Sequence, residues 1–211
     1  TGTDNGVPNS DNISNDNTPT FTGTAEAGAF VELLLNDTIV LQSGIAAGGT
    51  WTLTSGIAIP NGAHSIKARV TDIAGNVSTS AALTPVVVDT VPPLADGGPN
   101  VIVVEGESVT LTGTASDAGS GVSSTLWQFV SSTNGQVVAN SPGSLMFTPT
   151  SAGQYTFNYV VTDVAGNVSV DTVIVESTFT ADFELDGDVD GGDLNNWENG
   201  LGTEPGATVS Q

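Results

Sequence analysis

Apolar and polar residues alternate along much of this chain with the period of two that belongs to a strand half-buried on one face. His64, Ile66, Ala68 and Val70 fall on one side of such a pattern, and Ser65, Lys67, Arg69 and Thr71 on the other. The same alternation sets Tyr155, Phe157, Tyr159 and Val161 against Thr156, Asn158, Val160 and Thr162, and Val109 and Leu111 against Thr110 and Thr112. Leu145 and Phe147 oppose Ser144 and Met146. Two apolar runs, Val86-Val87-Val88 and Val173-Ile174-Val175, predict closing strands. No helical period precedes residue 192.

The pattern occurs twice. Arg69-Val70-Thr71-Asp72-Ile73-Ala74-Gly75-Asn76-Val77-Ser78 returns as Val160-Val161-Thr162-Asp163-Val164-Ala165-Gly166-Asn167-Val168-Ser169, with Asp72 and Asp163 91 residues apart. Phe21-Thr22-Gly23-Thr24-Ala25-Glu26 matches Leu111-Thr112-Gly113-Thr114-Ala115-Ser116. A period this long is not that of a solenoid; it fits two tandem antiparallel β-sandwiches of about 100 residues each. The expected fold class is all-β. The first module spans 1–91, with the polar stretch 1–17 reading as a linker; the second spans 92–177; an acidic, Gly-rich tail follows over 178–211. Pro92-Pro93 makes the connection stiff and extended.

Charge narrows the function classes. Lys+Arg is 2 and Asp+Glu is 23, a formal net charge of -21. Duplex binding relies on several cations neutralising phosphates, so nucleic acid is excluded as a partner. An anionic membrane surface is disfavoured for the same reason, and no apolar run approaches the ~18 residues a membrane span needs. With no Cys and one His, disulfides, zinc thiolates, multi-His metal centres and a Cys nucleophile are all unavailable. A surface this acidic repels itself unless cations screen it. Calcium is the hard cation that suits carboxylate oxygens, and it is plentiful outside the cell. The chain is therefore expected to be an extracellular or cell-surface, monomeric piece of a larger protein; it does not begin with Met.

Residues 16–28, Thr71 to Asn76 and Asp89 to Pro93 resemble the bacterial Ig-like repeats of large surface adhesins and biofilm proteins. Val104 to Asp117, Phe147-Thr148-Pro149 and Gly153-Gln154-Tyr155-Thr156-Phe157 resemble a PKD-type Ig-like domain. The tail stretch Ala181 to Leu194 resembles one calcium loop of a type I dockerin, half of the paired repeat of that family. These resemblances imply two Ig-like sandwiches with a short calcium loop–helix tail. They also imply that the B–C and F–G loops of a sandwich meet where the chain enters it.

Three sets of candidate metal ligands follow. In the tail, Asp182 as position 1 of an EF-hand-type loop puts Glu184 at 3, Asp186 at 5, Gly187 at the turn position 6, Asp188 at 7, Asp190 at 9 and Asp193 at 12. Leu194, Trp197 and Leu201 then share one face of a short helix. At the module junction, Asp89 comes in with the linker, Asp117 sits in the B–C loop and Asp163 opens the F–G turn. Asp72 with Asp11 or Asp16 is the corresponding expectation ahead of module one. The competing reading of each Asp is a turn cap, a role Asp fills well.

His64 with Ser65 and Asp72 has the composition of a catalytic set. Gly62-Ala63-His64 aligns with Gly153-Gln154-Tyr155, however, and Tyr155 stands where Ig-like folds keep a corner tyrosine. No catalytic residue is assigned. Trp51 and Trp127 are expected in cores, and Lys67 points outward with Arg69. The sequence thus predicts a non-catalytic extracellular spacer or adhesion module that binds calcium, with a surface polysaccharide or protein as ligand. An assembly module docking a cohesin-like receptor is one alternative; an accessory region of a polysaccharide-degrading enzyme is another.

Overall fold

The computed structural model describes Gly6 and residues 11–178, and every regular element among them is a strand. The first module contains β1 (Ile13–Ser14), β2 (Thr20–Thr24), β3 (Phe30–Leu35), β4 (Ile39–Ile45), β5 (Thr50–Thr54), β6 (Gly62–Thr71), β7 (Val77–Thr79) and β8 (Leu83–Val88). One sheet runs β1-β8-β6-β3-β4, with β7 also pairing with β6; the facing sheet is the pair β2–β5. Phe21 and Leu53 of the pair meet Val31, Leu33, Leu35, Ile66, Ala68, Val86 and Val88 of the larger sheet in one buried cluster. The alternation in β6 puts Ile66 and Ala68 inward. Lys67 and Arg69 turn outward, where each holds one carboxylate: Lys67 Nζ lies 2.6 Å from Asp37, and Arg69 Nε donates to Glu32 at 2.7 Å.

Residues 13 and 14 do not belong to a linker. Ile13 lies beside Val87 and Ser14 beside Val88 in a parallel pair. Val87 N donates to Asn12 O, and Asp89 N to Ser14 O. The polar composition of 1–17 hides this strand because backbone groups hold it and only two residues take part. A parallel pair also appears in the second module, so neither sandwich is purely antiparallel.

The second module contains β9 (Leu94–Asp96), β10 (Val101–Val104), β11 (Val109–Thr112), β12 (Thr114–Ser116), β13 (Val122–Ser132), β14 (Ser141–Pro142), β15 (Ser144–Phe147), β16 (Gly153–Asp163) and β17 (Val168–Thr178). Its large sheet runs β10-β17-β16-β13-β14, and β11–β15 and β12–β9 form two short pairs. Trp127 on β13 is fully buried, with its ring 4.9 Å from that of Tyr159 on β16. Trp51 packs partly buried against the first core and lies flat over its cross-strand partner Gly23. Both tryptophans therefore serve packing.

The two corners are built alike. The Tyr155 hydroxyl lies 3.1 Å from Ser151 O and 2.7 Å from Gln136 Oε1, and it accepts from Asn134 Nδ2. His64 Nε2 reaches Pro60 O at 2.8 Å, again four residues upstream, while His64 Nδ1 faces Asn36 Nδ2. A carbonyl can only accept and an amide NH2 can only donate, so these partners select the tautomer with its proton on Nε2. Asn36 Oδ1 accepts Ser65 N, which settles the amide's orientation.

Candidate functional site

β8 ends at Val88, where three consecutive valines give way to Asp89 and the stiff Pro92-Pro93 connection. The linker then meets two segments of module two: the β12–β13 loop (residues 117–121) and the β16–β17 turn (residues 164–167). One carboxylate oxygen from each of Asp89, Asp117 and Asp163 lies within 4.8 Å of the other two. Asp89 is 2 % exposed and Asp163 0 % exposed, while Asp117 is half-buried.

Backbone donors hold each carboxylate in place. Asp89 Oδ2 accepts Ser120 N at 2.7 Å, and Oδ1 accepts Val91 N at 3.1 Å. Asp117 Oδ2 accepts Gly121 N at 2.6 Å and Gly119 N at 3.1 Å. Asp163 Oδ1 accepts Asn167 N and Oδ2 accepts Asn167 Nδ2, both at 2.8 Å. Gly119 is required by proximity: a Cβ there would run into the Asp89 carboxylate, which burial prevents from moving aside.

Asn167 also spans the junction. Its Nδ2 donates to Asp89 O at 2.8 Å and to Val91 O at 3.3 Å. Asn15 N of module one donates to Ala165 O at 3.1 Å, and Ala165 N to Ser120 Oγ at 3.1 Å. Thr90 is held from the other side by Asn61 Oδ1. In the sequence Asn167 stands out only as part of the repeat, and Asn15, Asn61 and Ser120 do not stand out at all. Their bonds to distant segments leave no local pattern. Only the Asp–x–x–x–Asn spacing of the turn carried a signal, since an Asx pair at that spacing can bond to itself.

The electrostatics are unbalanced. Three carboxylates at this spacing repel by about 3 kcal/mol or more per pair at an effective dielectric of ~20. The chain has two basic side chains, Lys67 and Arg69, and both are paired in module one. The donor set is all hard oxygen, and oxygens within 4.8 Å of one another can reach a common ion at the ~2.4 Å of calcium–oxygen contacts. These residues can therefore hold a divalent hard cation.

The other expected sets fare differently. Asp72 lies in the β6–β7 turn, where its carboxylate accepts Asn76 N and Nδ2, each at 2.7 Å. That hydrogen bonding, from the Asn76 side chain first, holds the Asp72 carboxyl below the usual carboxylate range. Asp16 follows β1 at the opposite end of the sheet, and its Oδ1 caps Thr18. Asp11 caps Ile13 N. β1 runs parallel to β8 and so away from the β6–β7 turn. The ten residues of β6 separate the two ends by about 30 Å at ~3.3 Å per residue. The expected pairing of Asp72 with Asp11 or Asp16 is therefore corrected: these groups do not converge. Among the described residues, Asp89, Asp117 and Asp163 are the acidic group brought together. The tail ligands Asp182, Glu184, Asp186, Asp188, Asp190 and Asp193, and the face of Leu194, Trp197 and Leu201, lie outside the described residues.

Residues 1–90 match the family model of a bacterial Ig-like domain, and residues 97–176 that of a K319L-like PKD domain. The first module is thus similar to a bacterial Ig-like domain and the second to a PKD-type domain. No curated protein matches it in sequence. Among solved structures it is similar to the fibronectin(III)-like modules of Clostridium thermocellum CbhA, at 19% identity over 81% of this chain and 93% of that one, with a TM-score of 0.45. It is also similar to the sialic acid binding region of a Streptococcus sanguinis adhesin, at 18% identity over 61% of this chain and 40% of that one, with a TM-score of 0.34. For the Bacteroides ovatus mixed-linkage glucan utilisation protein SGBP-B the values are 20% identity, 80%, 43% and 0.27.

Proposed function

We propose that the chain is a non-catalytic extracellular spacer or adhesion segment whose Ig-like and PKD-type modules are locked together by calcium at Asp89, Asp117 and Asp163. The observation that carries this reading is the convergence of three carboxylates, two of them buried, in a chain whose basic side chains are both engaged elsewhere. Bound calcium would supply the missing positive charge. The chain's own groups orient the ligands: Ser120 N, Gly121 N and Asn167 fix the carboxylates, and Pro92-Pro93 limits the swing of the linker. Dependence on an ion abundant outside cells supports an extracellular or surface setting. The boundaries at 91/92 and 177/178 complete the reading.

The tail adds an attachment role. Asp182, Glu184, Asp186, Asp188, Asp190 and Asp193 have the order of a dockerin-type calcium loop; the ligand of the adhesion segment is a surface polysaccharide or protein, and a cohesin-like receptor for the tail is the alternative partner.

The test is thermal unfolding and small-angle scattering with and without calcium. Binding only the folded state stabilises it by mass action, by about 2.7 kcal/mol at a hundredfold excess over Kd, and so raises the melting temperature. Calcium is expected to raise that temperature and narrow the interdomain distribution, and Asp117→Asn with Asp163→Asn to remove both effects. An identical calcium response in that variant and the parent would assign the stiffness to the prolines and the carboxylates to turn capping.

A further inference from the structure

The β6–β7 turn of module one is built like the turn of module two that receives the linker. Asp72 N donates to Asn76 O at 3.0 Å, as Asp163 N does to Asn167 O at 3.0 Å. Gly75 N reaches Asp72 O at 3.0 Å, and Gly166 N reaches Asp163 O at 3.3 Å. Each Asp carboxylate then accepts both the backbone N and the Nδ2 of the Asn four residues on.

Their surroundings differ. At the second turn, Asn167 Nδ2 also holds Asp89 O and Val91 O, Asn15 N caps Ala165 O, and Ala165 is 0 % exposed. At the first turn, Ile73 is 78 % exposed and Ala74 is exposed. Among the described residues, Asn76 Nδ2 bonds to Asp72 alone, and no donor reaches Ala74 O.

We propose that this pole of module one is a docking surface for the exit strand of another β-sandwich module, an extended apolar-Asp-x-apolar segment of the kind that Val88-Asp89-Thr90-Val91 presents to module two. Asn76 Nδ2 takes the segment's carbonyls as Asn167 takes those of Asp89 and Val91. Ala74 O takes a backbone N–H as Ala165 O takes that of Asn15. Ile73 covers the apolar side chains.

This pole offers two carboxylates, Asp72 and Glu26, and no counterpart of Asp117, so the proposed docking invokes no cation. The β2–β3 loop (residues 25–29) has the length of the β12–β13 loop, but the repeat alignment puts Ala27 where the other carries Asp117, and its one carboxylate is Glu26. No three-carboxylate group forms at this pole among the described residues. The docking is therefore independent of the calcium reading, and chelation separates the failure of one from the failure of the other.

The register can be reproduced by fusion. A second copy of residues 1–91 placed directly before the full chain puts its Asp89 74 residues ahead of Asp72, the separation Asp89 has from Asp163. Tethering also raises the effective concentration to the millimolar range or above. In the fusion, the Asn76 side-chain amide and the backbone amides of Ile73 to Val77 in the full chain should shift, equally with calcium and with chelator. Asn76→Ala in that copy should free the added module to tumble independently while leaving the Asn167 signals unmoved. A peptide of residues 83–93 added in trans is the second probe and should shift the same amides saturably. Unshifted amides with both probes would overturn the proposal, and so would a shift seen only with calcium, which marks a cation site. Shifts centred on strand edges away from the turn would also overturn it, because they mark lateral association of copies.

Discussion

Gly119 and Asn167 do at the junction what no carboxylate can do for itself. Gly119 leaves room for the Asp89 carboxylate, and Asn167 ties that residue's carbonyl to Asp163. Gly119→Ala should therefore cost about 1–3 kcal/mol as overpacking and shift the Asp89 and Ser120 amides, with the Trp127 core unchanged. The Asp and Asn turns were legible in the sequence because turn chemistry is local; the reach of Asn167 across to Asp89 was not, because it joins positions far apart in the chain. His64 gives a second residue-level test. His64→Phe removes its bonds to Pro60 O and Asn36 and should lower module-one stability by about 1–3 kcal/mol, read by denaturant unfolding. The exposed Asp72–Asn76 turn gives a third. Its carboxyl is held low by hydrogen bonds that favour the charged form, so the stabilisation is full above the unfolded value of ~3.9 and is lost as pH falls through the lower folded value. The Asn76 amide signals should therefore move only in strong acid.

At the scale of elements, period two identified the strands with the deepest cores. β6, β11, β15 and β16 each bury alternate residues, as their patterns announce. What escaped were elements held by backbone bonds rather than by apolar side chains. β1 is two residues of polar sequence, and its parallel pairing with β8 is invisible in composition. That strand alone overturned the joint placement of Asp72 and Asp16, because its direction decides which pole each residue occupies. Aromatic side chains supported by glycine are the elements' other shared device. Gly113 lies under the Tyr159 ring as Gly23 lies under Trp51. Gly113→Ala forces a methyl into that ring and should destabilise module two by about 1–3 kcal/mol while leaving the module-one transition in place, a separation differential scanning calorimetry can read.

For the whole molecule, the decisive quantity is charge. With a formal charge of -21 and both cationic side chains spent on Asp37 and Glu32, the junction has no internal counter-ion. Composition announced the need for a cation, and the fold supplies one point where three carboxylates from separate segments meet. On the proposed reading, the junction supplies stiffness and the tail attachment. The most direct measurement is a calcium titration followed by amide NMR of the full chain, which reports the two regions separately. The account predicts saturable shifts of Val91, Ser120, Gly121 and Asn167 at the ~10⁻⁴–10⁻³ M calcium typical of extracellular modules, abolished by Asp117→Asn with Asp163→Asn. Amides at the junction that stay fixed while those of the tail loop move would contradict it.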